Sequence, residues 1–578
     1  MRVRFDDRSS ANPAAWEFAA PTGSGRAERV EDVVACVAAA EAAAAAGDWV
    51  VLVLAYEAAP AFEPAMATAP TPPPGTPFVW WTSFAERHDG EPLAVLPSRV
   101  AERHRAANVM PYPDAVREIR RRISLGDVYQ VNVTDRFHGT YTATPFEMYS
   151  ALVGVQSCEF GAYIEMGERI VASASPEMFL RWEGDTISCR PMKGTAARHP
   201  RPSRDAEVGA ELRASVKDRA ENVMIVDLLR NDLSRVARLG TVRVPELFAL
   251  ERYETVWQLT STITAQTRAD VGLVDVLGAM YPCGSVTGAP KISAMSIIDG
   301  LENEPRGVYC GAIGYLSPPG RGPKAVFSVP IRTAILDPAD STFVYGAGGG
   351  ITWSSDPDAE DDEVRAKARI LTRSQRSFQL LETLRHDAAG IVHLADHLDR
   401  MAASAAWFGF ACDRAELTRA VAAIPPVTVA HRLRLLLDRD GTLQIEQDPI
   451  DAAPATVRLA IDSVVTLSDD PFSCHKTTWR RHYTEARRRF PEADDVVLVN
   501  EHGHAVETTI ANLVCRIGDR WYTPPLDDGG LPGIGRQHAV ASGRVAERSI
   551  TAEELRAVDE LFVINDLRGW RPAVVLPG

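Results

Sequence analysis

The chain has 578 residues, of which 46% are hydrophobic and 24% are charged. Since single domains usually span roughly 100 to 200 residues, these values predict a multidomain globular protein and exclude a disordered or fibrous one. The formal net charge is −15, from 62 Lys and Arg against 77 Asp and Glu. With no Lys/Arg-rich tract, this charge disfavours nucleic acid or an anionic membrane as the main partner and favours a small-molecule enzyme.

The first hundred residues contain an alanine-rich helical pattern at 31–47, a buried-strand pattern at 49–55 and a proline-rich loop at 64–77. The longest apolar stretches are shorter than the roughly 18 residues that a membrane-spanning helix needs, and the N-terminus has no hydrophobic signal core. We therefore expect a cytoplasmic protein that does not enter a membrane.

Residues 111–372 alternate amphipathic helices with β-rich runs, which predicts a large α+β domain. The clearest β-rich runs are 169–172, 325–334 and 342–346. We place a domain boundary near residue 374. This predicts a first domain of 1–373, more variable over 1–110, and a second domain of 374–578.

Lysine is rare in this chain, and each lysine is therefore a candidate reactive group. The six are Lys193, Lys217, Lys291, Lys324, Lys367 and Lys476. Arginine stays protonated in proteins, so it can neither act as an amine nucleophile nor form a Schiff base. A coding bias toward arginine would also explain the ratio. The eight cysteines include no CxxC pair, which favours reduced, structural thiols over a zinc site or a disulfide framework.

Two predicted helices, 217–236 and 356–373, each carry two carboxylates spaced three residues apart, so that both project from one side. These are Asp218, Glu221, Glu360 and Glu363. Two carboxylate pairs suit a Mg²⁺ ion that keeps several waters and also binds an anionic substrate. From spacing alone, two solvated acidic faces are the commoner explanation.

Two glycine-rich segments, 281–291 and 345–351, adjoin helical patterns. We predict turns whose backbone N–H groups face an anion. Tight chain reversals without a ligand are the alternative.

Nine motifs follow one another along the chain: GDVYQVNVTDRF (126–137), SASPEMFLR (173–181), RPMKGTAAR (190–198), ENVMIVDLLRNDLSRV (221–236), YPCGSVTGAPK (281–291), RGVYCGAIGY (306–315), FSVPIRT (327–333), GAGGGITWSSDP (346–357) and DDEVRAKA (361–368). In this order they resemble the chorismate-utilising enzymes, a family comprising anthranilate, aminodeoxychorismate, isochorismate and salicylate synthases. The resemblance covers roughly residues 50–373. It implies an α/β sandwich like that of anthranilate synthase component I.

Two positions distinguish the members of this family. Isochorismate and salicylate synthases carry a water-activating lysine where this chain has Gln130, which disfavours attack by water. Where this chain has PMKGT, anthranilate synthases have a motif similar to PIAGT. The motif with Lys193 is similar to the one in aminodeoxychorismate synthases. The resemblance implies that Lys193 attacks C2 of chorismate while Glu177, as general acid, protonates the departing C4 hydroxyl. Ammonia then enters at C4 and displaces the lysine. An ion-pairing role for Lys193 and an anthranilate synthase are the alternatives.

The same resemblance implies ligands for metal and substrate. Glu221 and Glu363 would be the main Mg²⁺ ligands, with Asp218 and Glu360 reaching the ion directly or through water. The substrate-binding residues would be Gln130, Thr195, Gln258, Thr287, Tyr315, Arg332, Gly348, Gly349, Gly350 and Lys367. Gln258 stands where many relatives have histidine, so no histidine role transfers to this position.

The second predicted domain contains one lysine, Lys476, with Glu507 in a predicted strand and a proline/glycine turn at 531–536. Upstream candidate side chains are Glu382, His397, Arg400 and Arg434. Pyridoxal phosphate needs a lysine for its Schiff base, an acid that keeps the pyridine nitrogen protonated, and N–H groups for its phosphate. An ordinary surface lysine is the alternative.

This order resembles the fold-type IV pyridoxal phosphate enzymes over about 376–575. These comprise branched-chain aminotransferases, D-amino acid aminotransferases and aminodeoxychorismate lyases. The resemblance implies a two-subdomain fold in which Lys476 is the Schiff-base lysine and Glu507 the partner of the pyridine nitrogen. Arg434, Gly533, Ile534 and Gly535 would form a cradle for the phosphate, and Asn565 would lie in a loop near the cofactor.

Together the two resemblances imply a fused enzyme that converts chorismate to 4-aminobenzoate for folate synthesis, with Mg²⁺ and pyridoxal phosphate as cofactors. No GxCxG-type nucleophile turn is present. We therefore expect ammonia from solution or from a separate glutamine amidotransferase. A homodimer through the second domain is compatible with the resemblance. The alternatives for that domain are an amino acid aminotransferase and a non-catalytic docking module.

Overall fold

The computed structural model describes residues 1–9, 13–91, 93, 96, 100–106, 108–155, 158–253, 256–372 and 376–577. The chain forms two compact units. The first consists of Met1–Ala197 and Gly209–Gln375, and the second of Arg198–Val208 and Arg376–Gly578. The domain boundary that we predict near residue 374 lies outside the described residues.

The first unit contains eighteen hydrogen-bonded strands among its described residues. They are Val3–Asp7 (β1), Ala14–Ala27 (β2), Trp49–Leu54 (β3), Val79–Asp89 (β4), Val100–Arg105 (β5), Gln130–Tyr141 (β6), Phe160–Glu165 (β7), Ile170–Ser175 (β8), Met178–Glu183 (β9), Thr186–Arg190 (β10), Met192–Ala197 (β11), Arg243–Arg252 (β12), Val256–Gln266 (β13), Gly288–Ala289 (β14), Ala312–Leu316 (β15), Ala325–Ser328 (β16), Thr333–Asp337 (β17) and Thr342–Ile351 (β18). The helices are Val33–Ala45 (α1), Tyr112–Ser124 (α2), Pro145–Gly154 (α3), Pro202–Ala214 (α4), Val216–Ser234 (α5), Leu273–Met280 (α6), Lys291–Leu301 (α7) and Pro357–Ala368 (α8).

Both predicted acidic helices are confirmed, and local sequence explains where they begin. The Ser215 side chain accepts a hydrogen bond from the Asp218 N–H at the start of α5. The Asp356 side chain accepts from the second and third residues of α8, and Pro357 occupies the first helical position. Capping side chains satisfy N–H groups that have no partner within the helix, and proline there loses no hydrogen bond.

The glycine-rich segment 345–351 is not a turn but the second half of β18, so this prediction is wrong. β18 pairs antiparallel with β6 along its whole length. A Cβ atom on Gly346 would lie 2.3 Å from the Tyr309 ring, and one on Gly348 would lie 2.3 Å from the carbonyl oxygen of Val133. Glycine is therefore required by close packing from neighbouring strands, a non-local cause that local glycine content does not reveal.

Two large hydrophobic clusters lie between helices and strands of the first unit. One packs α1, α5 and α6 against strands that include β3, β4 and β13. The other packs α2, α3, α7 and α8 against β6, β8 and β18. α5 and α8 thereby each have one face on the sheet, which fixes the side on which their carboxylates project.

The second unit contains two sheets. Its strands are Leu380–Asp387 (β19), Gly390–Ile391 (β20), His431–Leu437 (β21), Leu443–Pro449 (β22), Val457–Thr466 (β23), Asp495–Asn500 (β24), Ala505–Thr508 (β25), Asn512–Ile517 (β26), Arg520–Thr523 (β27), Ala546–Glu547 (β28), Glu560–Asn565 (β29) and Gly569–Val575 (β30). Residues 202–208 of α4 also belong to this unit. Its other helices are Leu394–Phe408 (α9), Arg414–Ala422 (α10), Pro471–Cys474 (α11), Arg481–Arg489 (α12) and Ile534–Ala541 (α13).

The smaller sheet has the order β20-β19-β21-β22 and the larger the order β25-β24-β23-β30-β29-β26-β27-β28. Glu507 lies in β25, so its predicted strand is confirmed. The mixed helix and strand content confirms the predicted α+β class. Among the described residues, no helix combines the length and apolar character needed to cross a membrane.

Candidate active sites

A cavity of about 980 Å³ in the first unit gathers most of the residues that the sequence singles out there. They lie on β11, α5, β13, β18 and α8, directly before β9, and in the turn before β17. They are Glu177, Lys193, Thr195, Asp218, Glu221, Gln258, Arg332, Gly348, Gly349, Gly350, Glu360, Glu363 and Lys367. Side chains separated by up to 190 residues in sequence thus share one chamber.

Lys193 lies against the glycines of β18. A Cβ atom on Gly350 would lie 3.0 Å from the Lys193 Nζ atom and 2.5 Å from Nε2 of Gln130. A Cβ atom at position 350 would therefore push the ends of both side chains from their present positions. Gly194 has φ +92°, and a Cβ there would lie 2.9 Å from Cβ of Asp218. The backbone next to Lys193 is thereby brought close to α5.

Burial lowers the pKa of Lys193, and the nearby Lys367 lowers it further, whereas Glu177 raises it. Taking an ammonium group out of water disfavours its charged form. A larger fraction of this amine is therefore neutral near pH 7 than for an exposed lysine. A neutral amine is the form that can act as a nucleophile.

Glu177 is 3% exposed, and burial raises the pKa of its carboxyl. A hydrogen bond from Ser285 and the charge of Lys193 oppose this shift. Its Oε1 atom has no hydrogen-bond partner among the described residues. A buried carboxyl with a raised pKa next to a lysine has the properties of a general acid.

The carboxylates of α5 and α8 influence one another across the cavity. Burial raises the pKa of Glu221, and the charges of Asp218 and Glu360 raise it further. Burial likewise raises the pKa of Glu360, with an additional contribution from Glu363. This mutual repulsion is what a bound divalent cation would relieve.

Hard carboxylate oxygens on two sides of one cavity are a donor set that suits Mg²⁺. Within the described ranges, however, no three His, Cys, Asp or Glu side chains lie close enough together to hold a metal ion. Glu363 instead forms an ion pair with Lys367, at 2.8 Å. The chemistry of the four carboxylates fits the ion, and the metal-ligand roles stay a prediction.

Several polar groups in the cavity already have fixed partners. Lys367 Nζ donates to the carbonyl oxygen of Gly348, at 2.8 Å. The Thr195 hydroxyl donates to Oε1 of Gln258, at 2.9 Å, and Nε2 of Gln258 donates to the carbonyl oxygen of Gly194. These bonds orient the side chains of Lys367, Thr195 and Gln258 before any ligand binds.

Arg332 lines the cavity in a left-handed backbone conformation, with φ +53°. This conformation is uncommon for residues other than glycine and costs on the order of 1 to 3 kcal/mol, and such residues cluster at functional sites. Its backbone carbonyl is fixed by the N–H of Ala174, at 3.1 Å. The turn between β16 and β17 therefore sets the place of this arginine.

Three predicted substrate-binding residues are not among the described residues that line the cavity. Tyr315 packs into a cluster of aromatic rings, so a substrate contact for it is wrong. The Thr287 hydroxyl is buried and donates to the Cys283 carbonyl oxygen, at 3.1 Å, which leaves it no free donor. Gln130 is buried behind Gly350, next to Lys193, and its Oε1 atom has no partner among the described residues.

Sequence reasoning missed other residues of the cavity wall. They are Asn132, Lys217, Ser285 and Tyr309, among others. Three of these four lie inside motifs quoted above, and Lys217 lies in the acidic helix. Their proximity to the site was therefore available as a signal, but nothing in the motif spacing says which positions face the cavity.

In the second unit, Lys476 lies between α11 and α12, and its backbone carbonyl accepts from the N–H of Leu381 in β19, at 3.0 Å. Burial and the charge of Arg400 lower the pKa of Lys476 to about 8, whereas Glu382 raises it. The preceding residue, His475, is held by the Pro200 carbonyl oxygen at 2.6 Å. A half-buried amine with this pKa is suited to Schiff-base formation.

Glu507 is buried, and desolvation raises its pKa to about 7. It accepts hydrogen bonds from the Tyr483 hydroxyl at 2.7 Å, Nδ2 of Asn512 at 3.2 Å and the N–H of Leu531 at 3.1 Å. The charge of Glu507 also raises the pKa of Lys476. The structure thus brings the predicted lysine and carboxylate close together.

The sequence predicts that Arg434 helps to hold the phosphate. Arg434 lies on β21 and forms an ion pair with Glu446 of β22, at 2.6 Å, with both side chains partly exposed, and its role in phosphate binding stays a prediction. Arg400 of α9 is a second candidate, because its charge lowers the pKa of Lys476; it pairs with Glu382 and donates to the carbonyl oxygen of Pro532, at 2.7 Å. The local pattern RLRLLL contains no information about which arginine faces the lysine.

The predicted glycine cradle lies at the start of α13. Gly533 precedes the helix, and a Cβ there would lie 2.0 Å from Oδ1 of Asn512. Gly535 and Asn565 line a second cavity of about 520 Å³, whose described lining does not include Lys476. The free N–H groups at a helix start suit a phosphate. Lysine, carboxylate, arginine and helix start together fit pyridoxal phosphate.

Comparisons with known proteins match two families to successive parts of the chain. Residues 4–373 match the family described as chorismate binding enzyme, and residues 379–576 match the family described as amino-transferase class IV. The chain is 42% identical to aminodeoxychorismate synthase component 1 of Escherichia coli (strain K12), over 46% of this chain and 58% of that protein. It is 39% identical to anthranilate synthase component 1 of Streptomyces coelicolor (strain ATCC BAA-471 / A3(2) / M145), over 46% and 51%.

The structure of MenF, the menaquinone-specific isochorismate synthase from Escherichia coli, has the same fold, with a TM-score of 0.50 and 18% identity over 64% of this chain and 88% of that one. The chain thus spans somewhat more than half the length of the curated relatives described above. Because the first family match covers residues 4–373 of 578, the chain belongs to the chorismate binding enzyme family and carries a class IV amino-transferase domain after it.

Proposed function

We propose that the first unit converts chorismate and ammonia to 4-amino-4-deoxychorismate and that the second converts this product to 4-aminobenzoate and pyruvate. The observation that carries the first step is that Lys193, which is half-buried, and Glu177, which is buried, line one cavity. Each lies within the electrostatic influence of the other. Identity alone does not separate the synthases, because relatives of both kinds are about equally similar. The PMKGT form of the Lys193 motif favours amination at C4 over an anthranilate synthase.

In the proposed reaction, the neutral amine of Lys193 forms a bond to C2 of chorismate while Glu177 gives its proton to the departing C4 hydroxyl, which leaves as water. Ammonia then forms the bond to C4, and Lys193 leaves C2. Gln130 cannot act as a base toward water, because an amide takes up no proton near pH 7.

Mg²⁺ would be held by Glu221 and Glu363, with Asp218 and Glu360 nearby, and would neutralise the ring carboxylate of chorismate. Arg332 supplies a fork of donors that matches a carboxylate. Lys367 and the backbone of β18 would bind the second carboxylate. These roles rest on the shared cavity and on the chemistry of the donors.

In the second unit, Lys476 and Glu507 would hold pyridoxal phosphate, and Arg400 with the start of α13 would bind its phosphate. The bound cofactor supplies an electron sink that assists loss of pyruvate and formation of the aromatic ring. The amine of Lys476, with its pKa of about 8, moves the proton between substrate and product. The carboxylate of Glu507 would form an ion pair with the protonated pyridine nitrogen of the cofactor.

The lyase is favoured over an amino acid aminotransferase by context, because the first unit would supply the lyase's substrate. The aminotransferase remains the second candidate, since the family match describes that class. For ammonia, we propose a separate glutamine amidotransferase acting with the first unit.

The test of the proposed function is product identification from chorismate, Mg²⁺ and ammonium, with and without pyridoxal phosphate. We expect 4-aminobenzoate and pyruvate in equal amounts with the cofactor, and 4-amino-4-deoxychorismate without it. Formation of 2-aminobenzoate would establish an anthranilate synthase. Accumulation of 4-amino-4-deoxychorismate without pyruvate, together with transfer of an amino group between an added amino acid and an added 2-oxo acid, would favour the aminotransferase.

The surroundings of the two candidate arginines predict different effects on cofactor binding. Arg400→Gln should weaken binding of pyridoxal phosphate by about tenfold to a hundredfold, the usual loss for a charged hydrogen bond of about 1.5 to 3 kcal/mol. Arg434→Gln, which removes a partly exposed ion pair, should change this binding little. Titration of each protein with the cofactor, followed by absorbance, measures both effects. A larger loss in Arg434→Gln than in Arg400→Gln would show that Arg434 holds the phosphate.

A further inference from the structure

A short segment that is distant in sequence belongs to the second unit. Residues 198–208 lie within the range matched by the chorismate binding enzyme family, yet they pack with residues 376–578. The Arg198 guanidinium donates to the carbonyl oxygen of Trp407 in α9, at 2.7 Å, and lies 4.5 Å from the centroid of the Trp407 ring. Nε1 of Trp407 in turn donates to the carbonyl oxygen of His199, at 2.8 Å. The segment is therefore attached to α9 by hydrogen bonds in both directions.

Asp205 fixes the conformation of this segment. It is 4% exposed and accepts hydrogen bonds from Nε of Arg198 at 3.0 Å, from a terminal nitrogen of Arg198 at 2.6 Å and from the N–H of His199 at 3.0 Å. The side chains of this ion pair are almost fully buried. Hydrogen bonds between charged groups are stronger than those between neutral groups. The carbonyl group of Pro200, which lies between these residues in sequence, is thereby held in place.

The Pro200 carbonyl oxygen accepts a hydrogen bond from Nε2 of His475, at 2.6 Å. Burial lowers the pKa of His475 to about 4, so its ring is neutral at pH 7. A neutral imidazole carries one N–H and a carbonyl oxygen only accepts, so the proton lies on Nε2 and Nδ1 accepts from the Ser404 hydroxyl, at 3.0 Å. The ring also packs against that of Trp407, with 4.9 Å between centroids. These partners define the orientation of the His475 ring.

The orientation of His475 determines the direction of the next side chain, that of Lys476. The backbone at His475 is extended, with φ −117° and ψ 138°. Consecutive side chains of an extended chain point to opposite sides. A His475 ring held by Pro200 therefore directs the Lys476 side chain away from the segment 198–208. The carbonyl oxygen of Lys476 accepts from the N–H of Leu381, at 3.0 Å, so β19 holds the lysine backbone as well.

We propose that the carbonyl group of Pro200 positions Lys476 through the ring of His475, so that residues 198–208 are part of the second active site. Pro200 and His475 are positioning residues, since they act on the cofactor only through the lysine. This inference rests on the proposed function, because Lys476 must hold the cofactor for its direction to matter. If the bond between Pro200 and His475 is lost, the amine of Lys476 is less often in the place where it meets the cofactor, and binding of the cofactor weakens.

The test is titration of the full-length apoprotein with pyridoxal phosphate, followed by the visible absorption band and by its circular dichroism, which depends on how the lysine holds the cofactor. His475→Phe keeps a flat ring without a donor, and His475→Asn carries its amide near the place of Nδ1. We expect both to weaken binding about tenfold, the usual order for a lost buried hydrogen bond, and to reduce the dichroism per bound cofactor. His475→Gln, whose amide N–H reaches the place of Nε2, should bind within about threefold of wild type.

His386→Phe is the matched control, because His386 is also a buried histidine of the second unit and its ring is hydrogen-bonded to Gln447 of β22. It should leave both affinity and dichroism unchanged. Asp205→Asn keeps His475 but removes the charge that holds Arg198, so it should loosen the segment and weaken binding in the same direction, and it replaces the His475 variants if these do not fold. Equal losses in His475→Gln and His475→Phe, or wild-type affinity in Asp205→Asn, would overturn the inference. A wild-type protein that forms no visible band with the cofactor would instead refute the proposed role of Lys476.

Discussion

Replacing Lys193 by alanine should reduce formation of 4-amino-4-deoxychorismate by about 10³-fold or more, the order of loss expected when a covalently reacting group is removed. Lys193→Arg should be equally inactive, because a guanidinium keeps the charge but offers no neutral amine. Steady-state rates with chorismate and saturating ammonium measure both variants. The rate of the wild-type enzyme should rise with pH as the amine loses its proton, at lower pH than for an ordinary lysine, because burial lowers this pKa.

Lys324→Ala is the control for this experiment. Lys324 is partly exposed and pairs with Glu41, outside the described lining of the cavity. It should retain wild-type rates. A direct check is mass spectrometry of wild-type protein incubated with chorismate without ammonia. We expect an adduct of chorismate less water on Lys193. A Lys193→Arg protein with substantial activity would show that the residue acts only through its charge.

Replacing Lys476 by alanine should abolish pyruvate release, by about 10³-fold or more, while synthesis of 4-amino-4-deoxychorismate continues. The precursor should therefore accumulate, and the visible absorption band of lysine-bound pyridoxal phosphate should disappear. Product analysis and an absorption spectrum of the purified protein measure these two effects separately.

The two lysine variants are reciprocal controls. Lys193→Ala should keep the visible band and should release pyruvate from added 4-amino-4-deoxychorismate. A Lys476→Ala protein that keeps both band and pyruvate release would locate the cofactor elsewhere. A wild-type protein that shows no band after addition of the cofactor would support a non-catalytic docking module.

Much of the local structure could be predicted from the sequence. The acidic helices α5 and α8 were predicted from the sequence, and the structure shows that Ser215 and Asp356 cap their first turns. The strand that carries Glu507 was also predicted and is confirmed. These features depend on side chains close together in sequence. The chemistry of a lysine is also local, because only an amine that can lose its proton can react as Lys193 and Lys476 are proposed to.

The sequence could not show which of two similar candidate residues lies at a site. Tyr315 and Tyr309 lie in one motif, yet only Tyr309 lines the cavity. Arg434 pairs with Glu446 on a sheet edge, while Arg400 lies beside Lys476. Which face of a strand or helix meets the site depends on pairing with segments more than a hundred residues away.

The sequence by itself determined the residue types, their order and the helices that carry the carboxylates, because these follow from composition and local spacing. Only the tertiary structure decided that residues 345–351 form a strand, that Glu177 and Lys193 line one cavity, and that residues 198–208 hold His475 in the second unit. The physical reason is that burial and close packing shift pKa values and require glycine, and both arise from contacts between distant parts of the chain.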